Sequence, residues 1–226
     1  MQINRISQEE LDQIDPLIRH DHPRFVLQKL NKIIKSVGVR RFLHSPEYGN
    51  ERDLYIGSMF AFYVRRIQQR EQFLQKPKVF PDVEISAFSD RKILDRPLDN
   101  AHVEITSIPE RATSYEEALK IVRESKLDKI YQPDKELVLL IFINNKQAPM
   151  WVKRLSEFFQ NSGDGFGQVY ALYLLSVNPM DSFVYEVDSL RPIGSTEVLR
   201  LNEEIRRPMI SHPYLEKFAK KLLEKS

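Results

Sequence analysis

The stretch "FPDVEISAF", Phe80–Phe88, decides how the rest of the chain is read. From Asp82 onward it alternates: Val83, Ile85 and Ala87 fall on one side of an extended strand, and Asp82, Glu84 and Ser86 on the other. "AHVEITS", Ala101–Ser107, repeats the arrangement, with Val103 and Ile105 opposite His102, Glu104 and Thr106. The intervening "SDRKILDRPLDN" has the Asp, Pro and Asn of a connecting loop, so an antiparallel pair is the simplest topology. The acidic sides of the two strands would then meet.

Outward from this pair the pattern changes. "LVLLIFIN", Leu137–Asn144, is apolar without alternation, which predicts a strand covered on both faces and central in its sheet. "VYALYLLSV", Val169–Val177, reads as a second such strand, and "FVYEVDSL", Phe183–Leu190, as a more exposed one. Helical spacing predicts an amphipathic lead-in with a capping box at Ser7–Glu10 and an apolar stripe from Phe25 to Val37, closed by Gly38. A further helix is predicted from about Asp53 to Leu74, ended by Pro77 and Pro81. Others are predicted from Thr113 or Ser114 to about Ile130, over Met150–Gln160, and from Ser211 to the end. The expected fold is α/β, a mixed β-sheet flanked by helices in one domain over 1–226. It comprises a helical lead-in over 1–50, a core over 53–177 and a C-terminal strand and helix over 178–226.

Composition narrows the function classes. Lys and Arg number 34 against 32 Asp and Glu, so overall charge advertises no polyanionic partner and any nucleic-acid surface must be local. The absence of cysteine removes disulfides, thiolate metal sites and cysteine nucleophiles, and fits a cytoplasmic protein. The start, MQINRISQEELDQ, has no apolar leader-like core, and the run at Leu137–Asn144 is too short to cross a bilayer, so no membrane is expected.

Carboxylates gathered on neighbouring strands repel each other and are costly to bury unless a cation balances them. A hard divalent cation such as Mg²⁺ or Mn²⁺ takes a few carboxylates together with water and phosphate oxygens, which suits phosphodiester cleavage. Pro81-Asp82 entering one strand and Glu104-Ile105-Thr106 on the next resemble the PD-(D/E)xK, or restriction-endonuclease-like, nuclease superfamily, whose core runs αβββαβ. The resemblance covers element order from roughly residue 53 to 177, while the motif itself is a handful of positions.

It implies a metal-dependent nuclease hydrolysing DNA, with Asp82 and Glu104 as metal ligands for Mg²⁺ or Mn²⁺. Glu84 is a further candidate ligand, and Glu71 the candidate helix-borne carboxylate. Thr106 stands where the motif has lysine, near the attacking water, and supplies no positive charge. Lys92, Lys126 and Lys129 are the candidates to supply it, with Lys126 counted among the catalytic set. Arg65, Arg66 and Arg70, along with Arg40 and Arg41, are expected to form a local basic surface near the site, with the first three as the candidate nucleic-acid contacts. DNA is the implied partner, with RNA and a second copy of the chain as further candidates. Two rival readings are a catalytically inactive module of the same fold binding nucleic acid or protein, and an unrelated α/β interaction protein.

Other features carry less. His20 and His22 flank Asp21 in "HDHP", a spacing better suited to a loop or helix cap than to a metal, and His102 is read as a surface histidine. "SGDGFG" lacks the lysine of a phosphate loop and precedes a strand, so it reads as a turn. There is no Gly-x-Ser-x-Gly elbow to anchor a hydrolase triad.

Overall fold

The computed structural model describes residues 21–77, 81–87, 99–129, 134–178, 182–194 and 196–208. The capping box at Ser7–Glu10, His20, Lys92 and the helix expected from Ser211 lie outside them. Helix α1, Pro23–Val37, is capped by His22, whose Nδ1 accepts from the Arg24 N–H at 3.2 Å, so the histidine of "HDHP" does take up the capping role. Gly38, at φ 83°, ends α1 in a conformation few other residues tolerate and opens the short α2, Val39–His44. Helix α3, Gly49–Gln68, buries Tyr55, Ile56, Met59, Phe60, Phe62 and Tyr63.

Seven strands follow in one sheet, ordered in space as in sequence: β1 (Phe73–Gln75), β2 (Val83–Ala87), β3 (Asp99–Ile108), β4 (Asp134–Ile143), β5 (Phe166–Asn178), β6 (Ser182–Arg191) and β7 (Thr196–Arg200). β3, β4 and β5 are mutually parallel, and every other neighbouring pair is antiparallel. The parallel connections are made through α4 (Tyr115–Val122) and α5 (Ala148–Gln160), and α6 (Leu201–Arg206) follows β7. The expected α/β class and mixed sheet are therefore present, and Val83 pairs with Val103 in an antiparallel register as the two acidic strands required.

The unbroken apolar run of β4 is explained by its two covered faces. Val138, Leu140 and Phe142 pack with α1 and α3, whereas Leu137, Leu139, Ile141 and Ile143 pack with α4 and α5. The strand bonds to β3 on one edge and β5 on the other, central as predicted.

The helix expected to reach Leu74 stops six residues short. Gln69 turns left-handed at φ 53°, its Nε2 donates to the Arg66 carbonyl at 2.6 Å, and Phe73 and Leu74 are buried in strand β1 instead. Burial of two large apolar side chains against β2 outweighs the local helix preference of a Gln- and Arg-rich segment. One turn of α3 comes close enough to β2 that a Cβ on Gly57 would stand 3.0 Å from Val83 Cγ1. That approach brings Asp53, four residues earlier and on the same helix face, to the edge where β2 begins.

A carboxylate–lysine cluster at the start of β2

Asp82 occupies the bend that leads into β2. Because Val83 pairs with Val103, Asp82 lies next to Glu104 across the ladder, on the sheet face turned toward α4 and α5. Its Oδ2 accepts the Ile105 N–H at 2.8 Å, which satisfies an end of the ladder with a side chain. Glu104 is 5% exposed and sits beside Leu139 in register, an apolar surrounding that a lone carboxylate could not occupy cheaply.

The compensating charge comes from the connection after α4. There the helix widens into a single π turn, Arg123–Leu127, which carries Lys126 toward the sheet. Lys126 Nζ stands 2.6 Å from Asp82 Oδ2 and 2.5 Å from Glu104 Oε2, so both carboxylates converge on one nitrogen. Burial opposes the ammonium charge, but the hydrogen bonds and charges of Asp82 and Glu104 outweigh it and hold the Lys126 pKa above the usual lysine value. Two carboxylates against one ammonium leave the cluster with a net negative charge. Asp82, 29% exposed, is its open side.

Thr106, two residues beyond Glu104 on the same face, is engaged with the π turn: its Oγ1 lies 2.7 Å from Ser125 Oγ. Since the Ser125 hydroxyl donates to the Val122 carbonyl at 3.2 Å, Thr106 donates to Ser125. Thr106 therefore fixes the turn that delivers Lys126. Glu84 is held one step along the strand by Asn100, whose Nδ2 donates to its Oε1 at 2.9 Å. Asn100 also accepts from Ser86 Oγ and lies 3.1 Å from His102 Nε2. Glu84 and His102 thus extend the polar strip but are tied to each other's neighbour Asn100 rather than to Lys126.

Glu71 lies elsewhere. It follows α3, is 2% exposed, and its carboxylate is shared between His22 Nε2 at 2.9 Å and an Arg65 guanidinium nitrogen at 3.0 Å. A carboxylate borne by α3, Asp53, pairs with Lys76 at 2.9 Å and feels the charge of Asp82. Burial raises the Asp53 pKa, the Lys76 hydrogen bond and charge partly offset this, and the negative charge of Asp82 adds to it. The sequence signal for Asp53 was its place on the apolar stripe of α3, in line with Ile56, Gly57 and Phe60.

The raised pKa has a sign that can be measured. The penalty of ionising Asp53 in the folded state is absent below the ordinary carboxylate value, about 3.9, and accrues as pH rises from there through the raised pKa. Asp53→Asn removes that segment, so urea-unfolding stability plotted against pH is expected to decline less over it than in the wild type.

Two of the three arginines expected to meet nucleic acid are committed inside the protein. Arg65 is buried, with Glu71 and the Pro208 carbonyl, the latter at 2.7 Å, as partners. Arg66 holds Glu204 at 2.6 Å, Glu197 at 3.5 Å and the Val198 carbonyl at 2.8 Å. Arg70 is exposed. Neither pair of long-range contacts could be foreseen from adjacent arginines on a helix, which ordinarily mark a solvated face.

Among the described residues, no three of His, Cys, Asp and Glu gather as a ready-made metal cage. No helix there is long and apolar enough to cross a membrane. No protein-family model matches the chain, and comparison with curated proteins and with solved structures returns no match.

Proposed function

We propose that this chain is a nuclease-like hydrolase of phosphodiester bonds in DNA that works with Mg²⁺ or Mn²⁺, on a restriction-endonuclease-like core formed by α3, β1, β2, β3, α4 and β4. The observation that carries the reading is the convergence of Asp82 and Glu104 on a single positive nitrogen, Lys126 Nζ. The order helix, three strands, helix, strand, with two antiparallel pairings followed by a parallel one, supports it.

The donor set fits a hard divalent cation in kind: two carboxylates with a solvent-open side, the remaining positions being left to water and phosphate oxygens, as Mg²⁺ prefers. Asp82 and Glu104 would hold it. When bound, such an ion supplies Lewis-acid polarisation of the phosphate and a more acidic water. The chain's own groups do the rest. Lys126 holds the two carboxylates together and offers positive charge where phosphate charge builds up. Thr106 and Ser125 fix the turn that carries it, and Asp53 with Lys76 borders the approach.

The test is cleavage of plasmid DNA with Mn²⁺ or Mg²⁺, with an RNA substrate alongside. Asp82→Asn and Glu104→Gln are each expected to lower the rate by about 10²-fold or more, and cleavage that survives both changes ends the proposal. A second reading, a module of the same fold without chemistry, is favoured by the ammonium that already sits between the two carboxylates. It predicts no cleavage and no rise in melting temperature on adding Mn²⁺.

A further inference from the structure

On the α3 face of the sheet, opposite the face that carries the carboxylate–lysine cluster, lies a pocket of about 320 Å³. Its floor is the sheet itself: Ile85 of β2, Ala101 of β3, Val138 of β4 and Tyr170 of β5. Four neighbouring strands make three intervals of about 4.8 Å, so the floor is roughly 14 Å long. Phe60 and Tyr63 cover it from α3, Gln72 lies where the chain turns back toward β1, and Gln168 enters from the start of β5.

The amides here are incompletely bonded. Gln72, 2% exposed, directs its Nε2 to the Gln68 side-chain oxygen at 2.9 Å and to the Arg70 carbonyl at 3.3 Å. Two carbonyl acceptors on the nitrogen fix the amide's orientation, and its Oε1 is left without a donor among the described residues. Gln168 Oε1 accepts from the Tyr170 hydroxyl at 2.7 Å, while its Nε2 has no acceptor among them. The Tyr63 hydroxyl, in a buried residue, has no hydrogen-bond partner among them either. Buried polar groups are ordinarily paired, so three open ones around a single pocket point to a ligand.

Its chemistry follows from what lines the pocket. No acidic or basic side chain does so among the described residues, and burial raises the pKa of Tyr63 and Tyr170, which keeps both phenols neutral. The carboxylates whose charge reaches Tyr63, those of Glu197 and Asp188, disfavour an anion. A cation fares no better. The rings of Phe60, Tyr63 and Tyr170 have centroids 4.8 to 5.6 Å apart, so they pack on one another and leave no space between them for an ammonium. An alkyl chain would fill the slot but strip water from Gln72 and Gln168 without replacing it. An uncharged planar ring with donors and acceptors at its rim satisfies every group, and the slot is longer than one base, which leaves room for a sugar. We propose that this pocket binds a free nucleoside, its base against Tyr170 and hydrogen-bonded to Gln72 Oε1 and Gln168 Nε2. Pocket and cluster lie on opposite faces of the sheet, so the site stands whether or not the cluster cleaves DNA.

The test is isothermal calorimetry of the full chain with adenosine, guanosine, cytidine and uridine in turn. At least one is expected to bind, to raise the melting temperature, and to gain nothing as its 5′-monophosphate. Gln168→Leu is expected to weaken that nucleoside about 10-fold, the size of one lost hydrogen bond. Ala101→Phe, which fills the floor, is expected to abolish binding. Decanol, an uncharged chain, and a single-stranded oligonucleotide are each expected to bind no more tightly than the nucleoside. Because Gln168 is only half-buried, ligand-free melting temperatures of the wild type and Gln168→Leu are expected to match, which separates lost affinity from misfolding. Failure of all four nucleosides to bind the wild type overturns the proposal. So does undiminished binding by Gln168→Leu, or tighter binding of the monophosphate, decanol or the oligonucleotide.

Discussion

Glu71→Ala is expected to cost about 3–5 kcal/mol of folding stability, the range for breaking a buried ion pair, while leaving cleavage per folded molecule unchanged. The carboxylate sits between His22 and Arg65 with almost no exposure. Arg24 is close as well: burial lowers its pKa, the Arg65 charge lowers it further, and Glu71 opposes both. Deletion of the carboxylate therefore strands one buried guanidinium, sets two guanidinium groups against each other, and leaves the His22 Nε2–H without its acceptor. Glu71→Gln keeps the shape and an acceptor oxygen, so its loss is expected to be smaller. For a chain of this size the alanine variant corresponds to a fall in melting temperature of roughly 6–20 °C, readable by circular dichroism. A cleavage defect in correctly folded Glu71→Gln would instead return this residue to the proposed catalytic set.

Lys126→Met is expected to separate two contributions of the cluster. Removal of the ammonium leaves Glu104 and Asp82 facing each other in a largely apolar setting, so the metal-free protein is expected to melt at a lower temperature than the wild type. Mn²⁺ is then expected to raise the melting temperature more in the variant than in the wild type, because it no longer competes with an internal cation. Cleavage is expected to fall about 10²-fold or more with the loss of positive charge at the phosphate.

The pH profile gives an independent check. A folded-state lysine pKa above the unfolded value means stability that is complete below about 10.4 and is lost as pH rises through the raised value. The wild type should therefore lose stability in strongly alkaline solution more steeply than Lys126→Met. An unchanged metal-free melting temperature together with unchanged cleavage would show that the short contacts to Lys126 count for nothing.

The central half of the fold was legible because periodicity reports burial directly. β2 and β3 alternate since one side of each packs on α3 and the other carries polar groups, and β4 does not alternate since both sides are covered. That Asp82 and Glu104 fall on the polar sides of their strands followed from the same alternation, whereas their choice as partners rested on the PD-(D/E)xK resemblance and their register is set by the Val83–Val103 pairing. β1, β7 and α6 were not legible: they have three, five and six residues, too few for a period, and β1 lies in a run of good helix formers.

The misplaced helix end had a consequence for the site. A helix running to Leu74 makes Glu71 helix-borne, whereas one ending at Gln68 sends Glu71 into the corner with His22 and Arg65. Lys126 could be named as one of several lysines, but not singled out. Its direction depends on a π turn, and no residue preference in Arg123–Leu127 encodes that widening.

Arg65 and Arg66 find their acceptors at Pro208, Val198, Glu197 and Glu204, between 131 and 143 positions later in the chain. During synthesis at about 5–20 residues per second, α3 therefore waits on the order of ten seconds for these groups to emerge. Until then the Arg66 guanidinium lacks these acceptors on a half-assembled core, Arg65 having Glu71 close by in sequence, and the nascent chain is expected to pass through an interval open to chaperone capture.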